Sequence, residues 1–211
     1  MDISNKKVHF LGDSITNGAC ATEKTCFVGL FQETYPNAEI TNYGIGGTRI
    51  APQTQPSAEP IWDYDFVARA KDMTPDADLI VVFGGTNDFG HGDAPFGEVG
   101  MQDKSTFCGA VYTLFNDLLL KYPYAKILVL TPLHRSEESN ERGLTLSQYV
   151  QAIKEIATYF SFPVLDLYAC SGMNPNVARV KETLMPDGLH PNEMGHKRLF
   201  ELINAYIKNM L

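Results

Sequence analysis

The sequence predicts an α/β protein in which a five-stranded parallel sheet lies between two layers of helices. Short, continuous runs of β-branched and other apolar residues recur along the chain, as they do in strands that are buried on both faces. Segments whose apolar residues are three or four positions apart separate these runs, and that spacing is typical of an amphipathic helix. Strands that alternate with helices in this way form parallel sheets with right-handed crossovers.

Five segments are predicted to be strands. Four of them are apolar runs, and a fifth around Ile40 to Tyr43 completes the alternation of strands and helices. The four apolar runs are Val8 to Leu11, Leu79 to Phe83, Ile127 to Leu130 and the weaker Val164 to Leu167.

Three longer helices are predicted from their apolar spacing. Their apolar positions are Phe107, Val111, Leu114 and Leu118 in the first, Tyr149, Ile153 and Ile156 in the second, and Leu199, Leu202, Ile203 and Tyr206 in the last. Two irregular stretches, Ala51 to Tyr64 and Gly84 to Gly100, are expected to be loops at the carboxyl edge of the sheet, where open α/β sheets bind ligands. No linker or repeat divides the chain, so residues 1–211 are predicted to form a single domain.

The composition limits the classes of function. The chain carries 17 Lys and Arg against 25 Asp and Glu, and this net charge of −8 argues against nucleic acid as the main partner, because phosphate binding requires a basic surface. No apolar run approaches the roughly 18 to 20 residues of a membrane-spanning helix, so no integral membrane segment is expected. The polar first residues lack the features of an export signal, which predicts a cytoplasmic protein, or a secreted one if such a signal has been removed. No feature of the sequence indicates an oligomeric state.

The cysteines indicate that no disulfide holds the fold. A chain of 23.4 kDa can bury roughly 70% of its surface, which is enough for a core without a disulfide or a structural metal. Cys20, Cys26, Cys108 and Cys170 form no CxxC pair and are too few for a disulfide scaffold. They are therefore expected to be free thiols.

Ser14 is the first candidate for chemistry. It follows the first strand directly, in the run Gly12 to Gly18, so its hydroxyl is expected at the carboxyl edge of the sheet. If a helical turn begins there, its unpaired backbone N–H groups point toward developing negative charge. The alternative is that Asp13 or Ser14 only caps a helix.

Glycine-rich loops follow the second and third strands. In the first of them, the backbone N–H of Gly47 is a candidate oxyanion donor, although the loop is also consistent with a simple turn. In the second, the side-chain amide of Asn87 can donate to an oxyanion, or can instead bond its own backbone in an Asx turn. Asp88, His91 and Asp93 resemble a metal cluster, but their spacing fits no standard metal-binding loop, so no metal is predicted.

Asp187 and His190 lie on a constrained turn before the last helix, because Pro191 disfavours helical dihedrals at His190. A histidine that acts as a general base needs an acceptor on its other ring nitrogen, and Asp187 is near enough in sequence to be that acceptor. A surface Asp and His that merely flank a helix start are the alternative. His9, His134 and His196 show no such partner pattern.

Together these segments resemble the ordered blocks of the SGNH, or GDSL-type, hydrolase family. The blocks are Gly12-Asp13-Ser14, the Gly47 loop, Gly85-Thr86-Asn87-Asp88 and Asp187-Gly188-Leu189-His190-Pro191. The resemblance implies a flavodoxin-like three-layer α/β/α fold with Ser14 as nucleophile, His190 as base and Asp187 as its orienting carboxylate. It also implies an oxyanion hole formed by the Ser14 and Gly47 backbone N–H groups and the Asn87 side chain.

The activity implied by this resemblance is acyl transfer from an ester through an acyl-enzyme on Ser14, with no cofactor and no metal. The substrate is expected to be a small ester, with a short acyl group such as acetyl on a carbohydrate. Lysophospholipase-like or thioesterase-like hydrolysis, acyl transfer to an alcohol, and a sugar- or phosphate-binding module without catalysis are the alternatives. Trp62, Phe89 and Phe96 are expected to line the substrate pocket, where they would contact either an acyl chain or a sugar ring.

Overall fold

The computed structural model describes residues 1–210 and contains a sheet of five parallel strands. The strands are β1 (Lys7–Gly12), β2 (Glu39–Gly44), β3 (Leu79–Phe83), β4 (Lys126–Leu130) and β5 (Val164–Leu165). Their order across the sheet is β2-β1-β3-β4-β5, and every neighbouring pair is parallel. The predicted three-layer α/β/α fold with a five-stranded parallel sheet is therefore confirmed.

Nine α-helices and one 3₁₀ helix connect the strands within the described residues. The helices are α1 (Ser14–Asn17), α2 (Phe27–Thr34), α3 (Phe66–Asp72), α4 (Thr86–Gly90), α5 (Phe107–Lys121), α6 (Leu146–Tyr159), α7 (Leu167–Cys170), α8 (Ala178–Leu184) and α9 (Glu193–Asn209), and the 3₁₀ helix is Pro60–Asp63. The three helices that were predicted from apolar spacing correspond to α5, α6 and α9.

The two faces of the sheet bury separate apolar clusters. One face packs against α3, α5 and α6 through residues such as Val82, Phe66 and Leu114. The other packs against α2 and α9 through residues such as Phe10 and Ile203. Because β3 has both faces covered, all five of its side chains are buried, and this explains why its sequence is continuously apolar.

The last strand is shorter than predicted. The run Val164 to Leu167 was expected to be one strand, but β5 ends at Leu165. Asp166 instead caps α7, where its carboxylate accepts hydrogen bonds from the backbone N–H of Ala169 and the hydroxyl of Thr131, both at 3.1 Å. A capping aspartate favours a helix start over a further strand residue.

The strand order reverses direction between β1 and β3, whose following segments leave the sheet toward opposite layers. In open α/β sheets a crevice forms outside the carboxyl ends of the strands at such a switch point. The loops after β1 and β3 carry Ser14 and Asn87, so the fold places both residues beside this crevice. No helix among residues 1–210 is both long and apolar enough to cross a bilayer.

Candidate active site

Ser14 is the first residue of α1, immediately beyond β1. Asp13 caps this helix, and its carboxylate accepts a 3.0 Å hydrogen bond from the backbone N–H of Ile15. The cap proposed for Asp13 and the exposed position proposed for Ser14 therefore occur together rather than as alternatives. Ser14 is half-buried, which leaves its hydroxyl accessible from the crevice.

The Ser14 hydroxyl lies within hydrogen-bonding distance of the His190 ring, although 176 positions separate the two residues. The distance from Ser14 Oγ to His190 Nε2 is 2.9 Å, and that from His190 Nδ1 to Asp187 Oδ2 is 2.7 Å. An ionised carboxylate only accepts, so Nδ1 carries the ring proton and Nε2 accepts from the Ser14 hydroxyl. The structure thus brings together the hydroxyl, imidazole and carboxylate that the sequence predicted as a catalytic set.

Hydrogen bonds from the turn that carries Asp187 stabilise the ionised form of its carboxyl group. Partial burial alone would raise the pKa of its carboxyl group. The backbone N–H of His190 at 2.7 Å, the His190 ring and the backbone N–H of Leu189 at 2.8 Å outweigh burial and lower that pKa below 3.8. The same hydrogen bonds fix the orientation of the carboxylate, so that Oδ1 faces the backbone and Oδ2 faces the imidazole.

Three hydrogen-bond donors meet the description of the predicted oxyanion hole. Within residues 1–210 the backbone N–H groups of Ser14 and Gly47 have no protein acceptor. Gly47 adopts φ +75°, and a Cβ at this position would overlap the indole of Trp62, so only glycine fits here. Asn87 is buried and donates one amide N–H to the Thr48 carbonyl at 2.9 Å, which leaves a second N–H for a ligand.

A buried arginine that the sequence analysis did not identify connects these donors. Arg69, on α3, donates to the backbone carbonyls of Gly12 and Tyr43 at 3.0 and 2.5 Å and to Thr48 Oγ1 at 2.8 Å. Because Thr48 also accepts from Asn87, one network links the ends of β1 and β2 to the turn after β3. Burial lowers the pKa of Arg69 to about 10, and a guanidinium with that pKa stays charged at neutral pH.

A second carboxylate, buried unlike Asp187, lies next to the nucleophile in sequence. Asp13 is 2% exposed, and burial raises its pKa to about 6 despite the hydrogen bond from Ile15 and the nearby charges of His190 and Arg69. The attraction between the Asp13 carboxylate and the positive charges around it partly offsets the cost of its burial. The Asp of the first block therefore has both a capping and an electrostatic effect on the site.

Of the three aromatic residues expected to line the pocket, only Trp62 lies beside the candidate oxyanion donors. Its indole packs against Gly47, and its ring centroid is 5.2 Å from that of His91. Phe89 is 2% exposed and packs edge-on against Tyr149. Phe96 contacts the same Tyr149 ring at a centroid distance of 4.9 Å. Packing against α5 and α6 therefore places the Phe89 ring in the apolar core, whereas the partly buried Phe96 ring packs against the surface of that core, and neither ring is shown beside the oxyanion donors.

Arg49 fixes the position of Trp62 through hydrogen bonds to the segment that carries it. Its guanidinium is 3% exposed and donates to the Trp62 carbonyl at 3.2 Å, to Asp63 Oδ1 at 2.7 Å and to the hydroxyl of Ser57. It also donates to Nδ1 of His91 at 3.1 Å. The segment from Ser57 to Asp63 is therefore fixed beside the crevice rather than freely mobile.

Asp88, His91 and Asp93 serve three different partners and do not converge on one point. Asp88 accepts from the backbone N–H groups of Ile50 and Ala51, both at 2.9 Å. Asp93 accepts from the backbone N–H of Thr54 at 2.9 Å. These bonds tie the loop after β2 to the loop after β3, which explains the polar residues that resembled a metal cluster.

The other histidines lie apart from this hydroxyl, imidazole and carboxylate. The ring of His9 packs against Tyr43 and Tyr122, and His134 bonds Glu138 at 2.9 Å. His196 is fully buried on α9, where it bonds the Ala19 carbonyl at 3.0 Å. All four cysteines are free thiols, of which Cys26 and Cys108 are buried and Cys20 and Cys170 are exposed.

The chain matches one protein-family model, and its fold is similar to that of several solved structures. Residues 10–198 match the model of the GDSL-like lipase/acylhydrolase family. A solved structure from Lactobacillus plantarum is 29% identical, covers 100% of both chains and has a TM-score of 0.87. An acetyl xylan esterase is 24% identical with a TM-score of 0.69, covering 95% of this chain and 99% of its own. A lipase/acylhydrolase from Enterococcus faecalis is 22% identical with a TM-score of 0.65, covering 96% of this chain and 95% of its own. No curated protein matches the chain.

Proposed function

Because the chain belongs to the GDSL-like lipase/acylhydrolase family, we propose that it is a serine esterase that cleaves a carboxylic ester through an acyl-enzyme on Ser14. The observation that carries this proposal is the unbroken hydrogen-bonded path from Ser14 Oγ to His190 at 2.9 Å and from His190 to Asp187 at 2.7 Å. A hydroxyl is a weak nucleophile at neutral pH, and a base oriented in this way activates it.

In the first half of the reaction, Ser14 Oγ attacks the ester carbonyl while His190 Nε2 takes the hydroxyl proton. Asp187, 2.7 Å from His190 Nδ1, stabilises the imidazolium that forms. The negative charge on the tetrahedral oxygen is met by the backbone N–H groups of Ser14 and Gly47 and by the free amide N–H of Asn87.

In the second half, His190 returns the proton to the leaving alkoxide, and the alcohol departs. A water molecule then gives a proton to the same ring nitrogen and attacks the acyl-enzyme. His190 returns that proton to Ser14 Oγ as the ester bond breaks, which releases the carboxylic acid and restores the serine hydroxyl. These steps use only side chains and backbone groups of this chain.

A short acyl group suits the neighbourhood of the oxyanion donors. The Trp62 indole packs against Gly47, and Arg49 fixes the segment that carries Trp62. A bulky and immobile ring at this position limits the room beside the acyl carbon. The similarity to an acetyl xylan esterase makes acetylated carbohydrate the first natural class to test.

Labelling with a fluorophosphonate tests the nucleophile directly. Peptide mass spectrometry should find the label on Ser14 alone, and Ser14→Ala should take up none while it remains folded. Ser136→Ala is the matched control, since Ser136 lies beside the Asp187 turn, where its backbone N–H bonds the Gly188 carbonyl at 2.8 Å, and it should label normally. An unlabelled wild-type protein would instead favour a binding module on the same scaffold.

Product analysis with a series of aryl esters then defines the reaction. Turnover should be highest for acetyl and propionyl esters and should fall as the acyl chain lengthens. Release of free acid in water identifies a hydrolase, whereas recovery of a new ester when an alcohol is added identifies an acyltransferase. A preference for long acyl chains would contradict the short-acyl proposal.

A further inference from the structure

A thiol lies next to the carboxylate and the imidazole of the active site. Cys20 Sγ is 3.9 Å from Asp187 Oδ2, the oxygen that also faces His190 Nδ1 at 2.7 Å. One sulfur, one oxygen and one nitrogen donor from these residues lie within 4.8 Å of one another. Within residues 1–210 no other set of three or more His, Cys, Asp and Glu side chains is grouped in this way.

We propose that Cys20, Asp187 and His190 form a binding site for a thiophilic divalent cation such as Zn²⁺, and that the bound cation switches off hydrolysis. The binding site itself depends only on these three side chains. The inhibitory effect rests on the function proposed above, because it acts through the same His190.

The donor set matches the preferences of zinc. Zinc binds thiolate, imidazole and carboxylate at about 2.0 to 2.3 Å in a tetrahedron, so its ligand atoms are about 3.3 to 3.8 Å apart. The observed separations of 3.9 and 2.7 Å lie on either side of this range, and the third pair, the Cys20 sulfur and the His190 ring nitrogen, lies within 4.8 Å. Rotation of the exposed Cys20 and Asp187 side chains is the movement that closes the three ligands around one ion. Three protein ligands leave the fourth position to water.

The site is open to ions from solvent. Cys20 and Asp187 are exposed, and the His190 side chain keeps 22% of its exposure. The cation must displace the proton of the Cys20 thiol, and a thiolate–zinc bond makes this displacement favourable.

Inhibition follows from the position of the ring proton. In the free enzyme Nδ1 carries the proton and Nε2 accepts from Ser14. A cation on Nδ1 takes the electron pair of that nitrogen, so the single ring proton moves to Nε2 and the thiol proton leaves to solvent. An Nε2–H group cannot accept the Ser14 proton, and the imidazole is no longer a base.

Cobalt binding to Ser14→Ala tests the site independently of catalysis, because this variant keeps all three ligands. Added Co²⁺ should produce a cobalt–thiolate charge-transfer absorption in the near ultraviolet, and added Zn²⁺ should abolish it. The double variant Ser14→Ala/Cys20→Gly should show no such absorption. If Ser14→Ala shows none either, the proposal is overturned.

The effect on hydrolysis is measured with Zn²⁺ and a short-chain aryl ester in buffer free of thiols. Zinc should inhibit the wild type, and a chelator should restore the rate. Cys20 adopts φ +64°, which glycine adopts without strain, so Cys20→Gly removes the ligand and preserves the turn. Half-inhibition of this variant should require at least about 100-fold more zinc than the wild type. Loss of an outer-sphere partner already weakens metal binding by about 10- to 100-fold, and Cys20 is proposed as a direct ligand.

Cys170→Ala is the matched control, because Cys170 is the other exposed free thiol. It should be inhibited at the same zinc concentration as the wild type. Equal inhibition of Cys20→Gly and the wild type would overturn the proposal. A thiolate absorption in Ser14→Ala together with a wild type that hydrolyses no ester would support the metal site and reject the proposed esterase activity.

Discussion

Replacement of Asn87 by alanine separates the electrostatic part of the proposed mechanism from the nucleophile and its base. In the folded protein Asn87 is 5% exposed, and its side-chain amide donates one N–H to the Thr48 carbonyl at 2.9 Å. The second N–H is the one assigned to the oxyanion. Alanine removes both donors and leaves Ser14, His190 and Asp187 unchanged.

The expected loss of turnover is on the order of 10² to 10³ in kcat, the usual effect of removing one oxyanion donor, which corresponds to about 2.7 to 4 kcal/mol. KM should change little, because the donor acts on charge that develops only in the transition state. The unpaired Thr48 carbonyl should also lower the free energy of unfolding by about 1 to 3 kcal/mol. That loss leaves a typical domain folded at room temperature.

The assay is steady-state hydrolysis of an aryl acetate, with urea unfolding of each variant to confirm the folded fraction. Thr48→Val is the matched control for loop position. It removes the hydroxyl that accepts from Arg69 at 2.8 Å, but it preserves the Thr48 carbonyl and both amide N–H groups of Asn87. We expect Thr48→Val to lose far less activity than Asn87→Ala. Equal losses of activity in Thr48→Val and Asn87→Ala would show that both variants act by displacing the Gly47 loop. An Asn87→Ala enzyme with wild-type turnover would refute the oxyanion role.

Four further changes test other parts of the structure. Asp187→Asn should lower kcat on the order of 10⁴ with little change in stability, and a loss under tenfold would contradict its role as the orienting carboxylate. Trp62→Ala should raise kcat/KM for butyryl esters relative to acetyl esters, and an unchanged ratio across the series would reject Trp62 as a limit on acyl length. Arg69→Met removes three charge-assisted hydrogen bonds and leaves Asp13 buried without its neighbouring cation, so it should lower the free energy of unfolding by about 3 to 5 kcal/mol in urea titrations, whereas a loss below about 1 kcal/mol would show that the network is dispensable. For Asp13, whose folded pKa of about 6 exceeds the ordinary 3.8, the native state binds more protons, so ionisation opposes folding as pH rises through that interval. Asp13→Asn keeps the cap, and the wild type should lose up to about 3 kcal/mol relative to it between pH 4 and 7; a constant difference would contradict the raised pKa.

The sequence predicted the fold well because strand and helix patterns depend on burial that is local to each element. The continuously apolar β3 and the amphipathic α5 are buried on the faces that their patterns indicate. The boundary at Leu165 was missed, because the hydrogen bond that ends β5 joins Asp166 to Thr131 on another strand's loop. Such a contact is invisible to the periodicity of a single segment.

In the candidate site too, some features were readable from local sequence and others depended on contacts between distant segments. The positions of Ser14 and Asn87 followed from strand ends, whereas the side chains around them depend on packing between distant segments. Phe89 and Phe96 resembled pocket aromatics because their stretch of sequence is rich in glycine, yet Phe89 lies on α4 and both rings pack against the Tyr149 ring of α6. Arg69 resembled any helix charge, since nothing near it in sequence indicates that its guanidinium lies under two strand ends.

The burial of Arg69 explains how glycine-rich loops can form a fixed oxyanion hole. Burying a cation is unfavourable unless acceptors replace its hydration, and here two strand-end carbonyls and the Thr48 hydroxyl do so. The Gly12 carbonyl also accepts the backbone N–H of Ile45 at 3.1 Å, so the arginine adds a charged donor at the point where the chain leaves β1. Its attraction to the buried Asp13 couples the two charges across β1. The proposed oxyanion donors are therefore positioned by a charge on α3, and our proposal leaves selection of the acyl group to the loop from Ala51 to Tyr64.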